Sequence, residues 1–157
     1  MLGRARYDAD GLPQGAEFQV NVETVQVQDA PAVAMDPTGR FVVVWQSLRS
    51  SGGDLSGWSI QARRFAADGT PLSGDVQVNT FTSGNQMLPR VAADALGNFL
   101  VVWQSDGSAG TDTSGTSIQA QWFREGGTAP GGEFPVNTYT TGAQGAPSVA
   151  VRDRDNF

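Results

Sequence analysis

Three residue types that carry much of protein chemistry are missing from this chain of 157 residues. It has no cysteine, no histidine and no lysine, so all ten of its basic residues are arginine. These absences exclude disulfides, thiol nucleophiles, ordinary zinc sites and histidine-based catalytic triads. They also exclude a Schiff-base amine and a phosphate-loop lysine. Carboxylates, hydroxyls and arginine are what remain for chemistry.

Long apolar runs and concentrated positive charge are also missing. No apolar run approaches the ~18 residues that a membrane span requires, so we expect no such span. The formal net charge is −6, whereas binding to a nucleic-acid backbone needs a face rich in lysine or arginine. We therefore expect no nucleic-acid partner. Residues 1–6 contain no apolar signal core, so we expect no signal peptide in this stretch.

The chain repeats itself with a period of 58 residues. Laid over residues 78–135 without a gap, residues 20–77 are identical at 28 of 58 positions. Such identity marks a tandem array of one structural unit. The landmarks that keep this spacing are Val20-Asn21, Val78-Asn79 and Val136-Asn137, and also Pro31, Pro89 and Pro147. We divide the array into a partial unit at 1–30, complete units at 31–88 and 89–146, and a partial unit at 147–157.

Each unit contains four predicted strands that are separated by turn residues. The second strand is a continuous apolar run, which is typical of a strand covered on both faces. Turns such as Asp36-Pro37-Thr38-Gly39 join antiparallel neighbours. The predicted strands are 32–36, 41–47, 59–65 and 76–80 in one unit, and 90–94, 99–105, 117–123 and 134–138 in the next.

Four antiparallel strands in a tandem unit of this length match one blade of a β-propeller. The alanine-rich first strand suits the crowded position near a propeller axis, and the valine-rich second strand suits the space between blades. We therefore predict an all-β fold, a β-propeller-type array of four-stranded antiparallel blades, with about 2.7 blades in this chain. A β-sandwich and a stacked β-solenoid are the alternatives. Propellers have four to eight blades, so we expect self-association or a longer parent chain to close the ring.

The repeated motif resembles that of a known family. It is carried by Gln86, Pro89, Val91-Ala92, Asp94, Gly97, the run 99–105 and the Ser-Ile-Gln-Ala sequence that begins at Ser117. Over nearly the whole chain it resembles propeller repeats found in tandem in very large secreted bacterial proteins, often described as RTX-type calcium-binding or adhesin-like. The resemblance implies an extracellular or cell-surface setting and no established catalysis. The last copy departs from the pattern, because Arg152 replaces the aspartate and Asp155 the glycine of the first turn.

Carboxylates between the second and third strands are candidate calcium ligands. Asp54 and Asp112 recur within Gly-Gly-Asp-Leu-Ser-Gly and Gly-Thr-Asp-Thr-Ser-Gly, and Asp106 lies just before the second of these. Calcium takes six to eight oxygen ligands, and one or two carboxylates per loop are few. The alternative is that these aspartates are turn residues that bond their own backbone. We expect no other cofactor.

Amide side chains recur on either side of the connection between the fourth and first strands. They are Asn79, Gln86, Asn137 and Gln144, with Asn21 and Gln28 in the first copy. Amides both donate and accept hydrogen bonds, so they could form a repeated sugar-binding pocket or instead satisfy loop backbone groups. Trp58 occupies a predicted loop position that Thr116 holds in the next copy. It could stack on a sugar or anchor a partner, or it could cover a local apolar spot.

Three functions are compatible with these residues, and none of them assigns a catalytic residue. The first is a non-catalytic structural or interaction module of a large exported bacterial protein, which presents loops to a protein or glycan partner. The second is a lectin-like propeller with one carbohydrate site per blade. The third is part of a hydrolase with carboxylate chemistry, which needs two acids about 5–9.5 Å apart, whereas the acids here are scattered singly on turns.

Overall fold

The computed structural model describes residues 2–50, 53–107, 110, 112, 114–153 and 156–157. These residues form ten β-strands and no helix. The strands are β1 (Gly3–Arg4), β2 (Phe18–Gln19), β3 (Gln28–Met35), β4 (Phe41–Leu48), β5 (Trp58–Phe65), β6 (Val76–Gln77), β7 (Gln86–Ala93), β8 (Phe99–Asp106), β9 (Thr116–Phe123) and β10 (Phe134–Pro135). The prediction of an all-β fold is confirmed.

The strands form three antiparallel sheets. Sheet I contains β1 and β2, sheet II has the order β3-β4-β5-β6, and sheet III has the order β7-β8-β9-β10. In the two larger sheets each strand pairs with the next one along the chain. Their registers agree, since Phe41 pairs with Phe65 in sheet II and Phe99 pairs with Phe123 in sheet III. The predicted four-stranded antiparallel unit is therefore present in both complete repeats.

The first strand of each large sheet begins earlier than predicted. β3 and β7 begin at Gln28 and Gln86, before the proline that was expected to precede them. A bulge interrupts each strand at this point. Within the bulge Ala30 adopts a left-handed φ of 48°, and Leu88 and Ala146 share this conformation in the later copies, at 54° and 52°. The extra residue lets pairing resume beyond proline, which has no N–H to contribute.

The fourth strands are shorter than predicted, and each contains two residues. The N–H of Val78 still donates to the carbonyl of Ile60 at 2.8 Å. Beyond this point the side-chain Oδ1 of Asn79 accepts from the N–H of Ile60, also at 2.8 Å. The asparagine side chain thus replaces the backbone acceptor, and the chain is free to leave the sheet.

The three sheets stack face to face in chain order. One face of sheet II, including Val42, Val44 and Ile60, packs against the face of sheet III that carries Val101 and Trp103. The opposite face of sheet II packs against sheet I, and the outer face of sheet III packs against the segment that follows it. The second strands β4 and β8 are therefore covered on both sides, as predicted. Each fully buried valine or larger side chain contributes about 1.5–3 kcal/mol.

Small side chains lie where sheets II and III approach each other through their first strands. β7 lies against β3, β4 and β5. Ala32 and Ala34 on β3, with Val91 and Ala93 on β7, pack at this side of the shared core. Short side chains permit close approach of the backbones, which agrees with a crowded position for the first strand.

A buried aspartate closes the turn between the first and second strands of sheet II. Asp36 Oδ1 accepts from the N–H of Thr38 at 2.8 Å, and its Oδ2 accepts from Nε of Arg40 at 2.8 Å. Gly39 adopts a φ of 86°, and a Cβ at this position would lie 2.9 Å from the Cβ of Ala67. Glycine is therefore required by both the backbone and the available space.

The corresponding turn of the last copy closes without that aspartate. The N–H of Arg152 donates to the carbonyl of Asn156 at 3.0 Å, as that of Asp36 donates to the carbonyl of Arg40 at 2.9 Å. Asp155, which replaces the turn glycine, lies outside the described residues. The aspartate side chain is thus not needed for the hairpin bond itself.

Candidate functional site

Most of the predicted site residues lie at one end of sheets II and III. The connection between the second and third strands and the connection between the fourth and first strands meet there. We name this region, formed by the loops that follow β4, β6, β8 and β10, the connection end. It brings Asp54 and Asn79 together in sheet II, and Asp112 and Asn137 together in sheet III.

Asn79 joins three parts of sheet II through its side chain. Its Nδ2 donates to Asp54 Oδ2 at 3.0 Å and to the carbonyl of Phe81 at 3.0 Å. Its Oδ1 accepts from the N–H of Ile60, and the residue is 2% exposed. The amide therefore satisfies buried polar groups of its own loops, the second of the two roles that the sequence left open.

The same arrangement recurs in the other copies. Asn137 Oδ1 accepts from the N–H of Ile118 at 2.8 Å, and its Nδ2 donates to Asp112 Oδ2 at 2.9 Å. In sheet I, Asn21 Oδ1 accepts from the N–H of Leu2 at 2.8 Å. In every copy, therefore, the asparagine side chain accepts a hydrogen bond from a backbone N–H of the third strand or the residue just before it. Asn137 differs from the other two in being only half-buried.

The glutamines occupy different environments in successive copies. Gln86 is fully buried, and its Oε1 accepts from the indole Nε1 of Trp103 at 3.0 Å. Gln144 is half-buried, and its Nε2 donates to the carbonyl of Gly142 at 2.9 Å. Gln86 thus anchors the tryptophan of the second strand, whereas Gln144 has a partly solvent-facing amide.

The predicted calcium ligands bond to protein donors. Asp54 Oδ1 accepts from the N–H of Ser56 at 3.1 Å, and Asp112 Oδ1 accepts from the N–H of Ser114 at 3.2 Å. Both carboxylates are buried and form local turns of the kind that aspartate favours. Within the described ranges, no three acidic side chains come together in a group suited to a metal ion.

Asp106 and Trp58 take no part in the bonds between aspartate and asparagine side chains described above. Asp106 ends β8, and its Oδ2 accepts from the side chain of Asn85 at 2.8 Å. Trp58 is the first residue of β5, pairs with Leu48 and is half-buried. The predicted loop position for this tryptophan was therefore wrong, because the strand pairing extends one residue further than the repeated sequence indicated.

Two recurring contacts between sheets were missed by sequence reasoning. Asp75 Oδ2 accepts from the N–H groups of Val22 and Glu23 at 2.8 and 3.2 Å. One repeat later, Glu133 Oε2 accepts from the N–H groups of Thr80 and Phe81 at 2.6 and 3.1 Å. The signal was present, since Glu17, Asp75 and Glu133 are acids at the repeat spacing. We name this contact the acid–amide link.

A second recurring contact involves Arg64 of β5 and its counterpart Arg6, which follows β1. Arg6 NH1 donates to the carbonyl of Ala67 at 2.6 Å. Arg64, one repeat later, donates through NH1 to the carbonyl of Glu125. Each arginine thereby reaches the turn of the following sheet, and a third bond of this class runs from Arg40 NH1 to Glu125 Oε2 at 3.2 Å.

Asp36 and Arg64, at the end opposite the connection end, have pKa values that differ from their usual ones. Burial raises the pKa of the Asp36 carboxyl, but hydrogen bonds from Thr38 and Arg40 outweigh this effect and hold the pKa below its usual range. Burial lowers the pKa of the Arg64 guanidinium. Asp36 thus stays ionised as a structural acceptor.

An open cavity of about 450 Å³ lies between sheets I and II. Its lining includes Tyr7, Phe18, Val33 and Met35. Val33 and Met35 are 55% and 60% exposed, although their counterparts Val91 and Ala93 pack in the core between sheets II and III. This face of sheet II is therefore less completely covered than the equivalent face of sheet III.

No protein-family model matches the chain, and no curated protein matches it either. In the part of the chain that the structure describes, no helix has the length and apolar content needed to cross a bilayer.

Proposed function

We propose that the chain is a non-catalytic β-propeller repeat module of a large exported bacterial protein, whose connection end faces a protein or glycan partner. The observation that carries the proposal is the acid–amide link, which joins sheet I to sheet II and sheet II to sheet III through equivalent residues. Equal contacts between successive sheets imply equal displacements from sheet to sheet. A ring of radially arranged blades has this regularity.

The small residues of the first strands also support a propeller arrangement. Blades converge toward an axis, so the strand nearest the axis needs short side chains, as at Ala32 and Ala34. An experimental structure tests this arrangement directly. The rotation that carries sheet I onto sheet II should also carry sheet II onto sheet III about one common axis. Sheets related by translation alone, or merged into two facing layers, would exclude a propeller.

A passive role is favoured by the way in which the polar side chains are used. Asp54, Asp112 and Asp36 each accept hydrogen bonds from their own loops, and carboxylate hydrolysis requires a pair of acids with separated acidities. We expect no turnover of chromogenic glycosides by the chain. Turnover that resists repeated purification would favour the hydrolase alternative.

The connection end offers exposed side chains for a partner. Leu55 and Tyr139 are 72% and 68% exposed. A partner that buries these side chains would gain apolar contact area from them. If these loops bind a partner and do not stabilise the fold, Leu55→Ser should leave the unfolding free energy within about 0.5 kcal/mol of that of the parent chain. A larger loss of unfolding free energy would show that this loop stabilises the fold.

The lectin-like alternative draws support from one copy. Tyr139 exposes its ring beside the half-buried amides of Asn137 and Gln144, a combination that can stack on a sugar and hydrogen-bond to it. A glycan array separates this alternative from a protein partner. Binding that is lost in Tyr139→Ala and retained in Leu55→Ala would establish a sugar site, and a blank array would favour a protein partner.

Calcium is not required by the proposal. Asp54 and Asp112 already accept hydrogen bonds from serine and asparagine donors, so their burial is explained without a calcium ion. We expect no saturable heat when calcium chloride is titrated to millimolar concentration. Saturable binding with one ion per repeat would restore the predicted calcium site.

A further inference from the structure

The interface between sheets II and III, which we call the joint, shows which groups two successive sheets of this array use to pack against each other. A second molecule would need the same groups to dock at an end of the array. Three features mark this joint and the sheets that form it. They are the acid–amide link, the small first-strand residues Ala32 and Ala34 of β3 against sheet III, and a pair of stacked aromatic rings within each sheet. The rings of Phe41 and Phe65 stack at 5.0 Å, and those of Phe99 and Phe123 stack at 4.9 Å.

One half of each feature is exposed at the N-terminal face, which is formed by sheet I and the uncovered side of β3. Glu17 holds the position of Asp75 and Glu133 and is exposed. Tyr7 holds the position of Phe65 and Phe123 and is 63% exposed. Val33 and Met35 lie uncovered beside the cavity described above.

The other halves are exposed at the C-terminal face, formed by sheet III and the segment after it. Thr138 and Tyr139 hold the positions of Thr80 and Phe81, the donors of the acid–amide link. Phe157 holds the position of Phe41 and Phe99 and is 61% exposed.

The segment after sheet III also presents the expected small side chains. Val149 and Val151 pack on sheet III, while Ser148 and Ala150 between them are exposed. Ser148 and Ala150 hold the positions that Ala32 and Ala34 hold two repeats earlier, and that Arg90 and Ala92 hold one repeat earlier. They present short side chains outward, as β3 does toward sheet III.

From these matched halves we infer that the C-terminal face of one molecule docks onto the N-terminal face of a second copy of this chain. Glu17 of the second copy accepts from the N–H groups of Thr138 and Tyr139. The rings of Tyr7 and Phe157 stack between the molecules. Ser148 and Ala150 cover Val33 and Met35, continuing the interface already formed between sheets II and III. The inference does not rest on what the connection end binds.

Such an interface is head-to-tail, because it joins two different faces. Head-to-tail contacts generate closed rings when the rotation closes and open filaments when it does not. The parent chain should therefore form species larger than a dimer as its concentration rises through the micromolar range, which sedimentation velocity measures. A parent chain that stays monomeric at high micromolar concentration would overturn the inference.

Complementation between two variants tests the polarity of the contact. Glu17→Arg damages only the N-terminal face, and Phe157→Asp damages only the C-terminal face. Each variant alone should be monomeric, and an equimolar mixture should form a one-to-one dimer through the two undamaged faces, with no larger species. A mixture that stays monomeric, or a single variant that still assembles, would contradict head-to-tail docking.

Two further variants separate this contact from general effects. Glu17→Gln keeps an acceptor oxygen and should weaken association less than Glu17→Arg, which we expect to weaken it about tenfold or more. Asp68→Arg introduces the same change of charge at an exposed acid on the turn after β5, outside both faces, and should leave association unchanged. Circular dichroism melts identify any variant that has failed to fold. Equal losses of association in Asp68→Arg and Glu17→Arg would attribute the effect to net charge alone.

Discussion

The side chain of Asn79 bonds to three groups at once: Asp54 Oδ2 and the N–H of Ile60, which are buried, and the carbonyl of Phe81, which is half-buried. Asn79→Ala removes a hydrogen-bond partner from each of them, and each unsatisfied buried group costs about 1–3 kcal/mol. We expect the unfolding free energy to fall by about 2–4 kcal/mol. Urea unfolding followed by fluorescence of the buried Trp45 and Trp103 measures this loss.

The third copy supplies a matched control for that substitution. Asn137 makes the same contacts but is half-buried. Water can therefore replace some of the hydrogen bonds that its side chain makes. Asn137→Ala should therefore cost less than Asn79→Ala. Equal losses at both positions would contradict a role that depends on burial.

Ala30 is strained, because its φ of 48° lies in the left-handed region. This conformation costs a non-glycine residue about 1–2 kcal/mol, and glycine adopts it freely. Ala30→Gly should raise the unfolding free energy by about 0.5–1 kcal/mol after the greater freedom of glycine in the unfolded chain is included. Thermal melting measures the gain.

Ala34→Gly is the control for that change, since Ala34 lies in the same strand with ordinary strand geometry. The substitution should lower the unfolding free energy by about 0.5–1 kcal/mol. The two substitutions are thus expected to have opposite signs. If both destabilise the protein to the same extent, the bulge is not strained.

At the scale of the hairpin between β3 and β4, Asp36 makes stability depend on pH. Its folded-state pKa lies below the usual value, so its contribution is complete above about pH 4, the pKa in the unfolded chain. The contribution is lost as the pH falls through the lower folded-state value. Asp36→Asn should lower stability at neutral pH and flatten the decline below about pH 4.

Acid titration of the unfolding free energy measures this effect. Asp10, on an exposed turn of sheet I, serves as the control, and Asp10→Asn should retain the decline of the parent chain. An Asp36→Asn profile that runs parallel to the parent profile would place the acid sensitivity elsewhere.

The strands and their pairing could be predicted because apolar runs and glycine turns recur at a fixed spacing. The start of β3 at Gln28 could not, because proline usually ends pairing, and only the bulge at Ala30 allows the strand to continue. The early end of β6 depends on an Asn79 side chain that replaces a backbone acceptor. A side-chain substitute of this kind leaves no trace in a hydrophobic pattern.

For the candidate site, the sequence located the amides and carboxylates but did not define their partners. Asn79 and Asp54 recur together, yet their bond depends on how two loops meet in space. The acid–amide link was missed for a related reason. Its donors are backbone N–H groups of Thr80 and Phe81, and every residue except proline has such a group.

At the scale of the whole molecule, the acid–amide link holds one sheet to the next. Asp75→Ala removes the acceptor for Val22 and Glu23. Hydrogen exchange at these two amides should accelerate by about tenfold or more, while β4 and β8 stay protected. Glu133→Ala should have the same effect at Thr80 and Phe81.

Asp106→Ala provides a control within sheet III. Asp106 also accepts from a backbone N–H, that of Asn85 at 3.3 Å, but lies outside the acid–amide link. Its removal should speed exchange near Asn85 and leave Val22 and Glu23 unchanged. Faster exchange throughout sheet I in this variant would indicate general loosening instead.

The acid–amide link also bears on how such an array can grow. Each repeat carries both the acceptor and the donors, so an in-frame gene duplication would place a new copy beside its parent with matching groups already in place. Asp75 and Glu133 differ by one methylene and make the same bonds, which leaves room for duplicated copies to diverge. Lengthening the chain by whole repeats would therefore require no compensating substitutions.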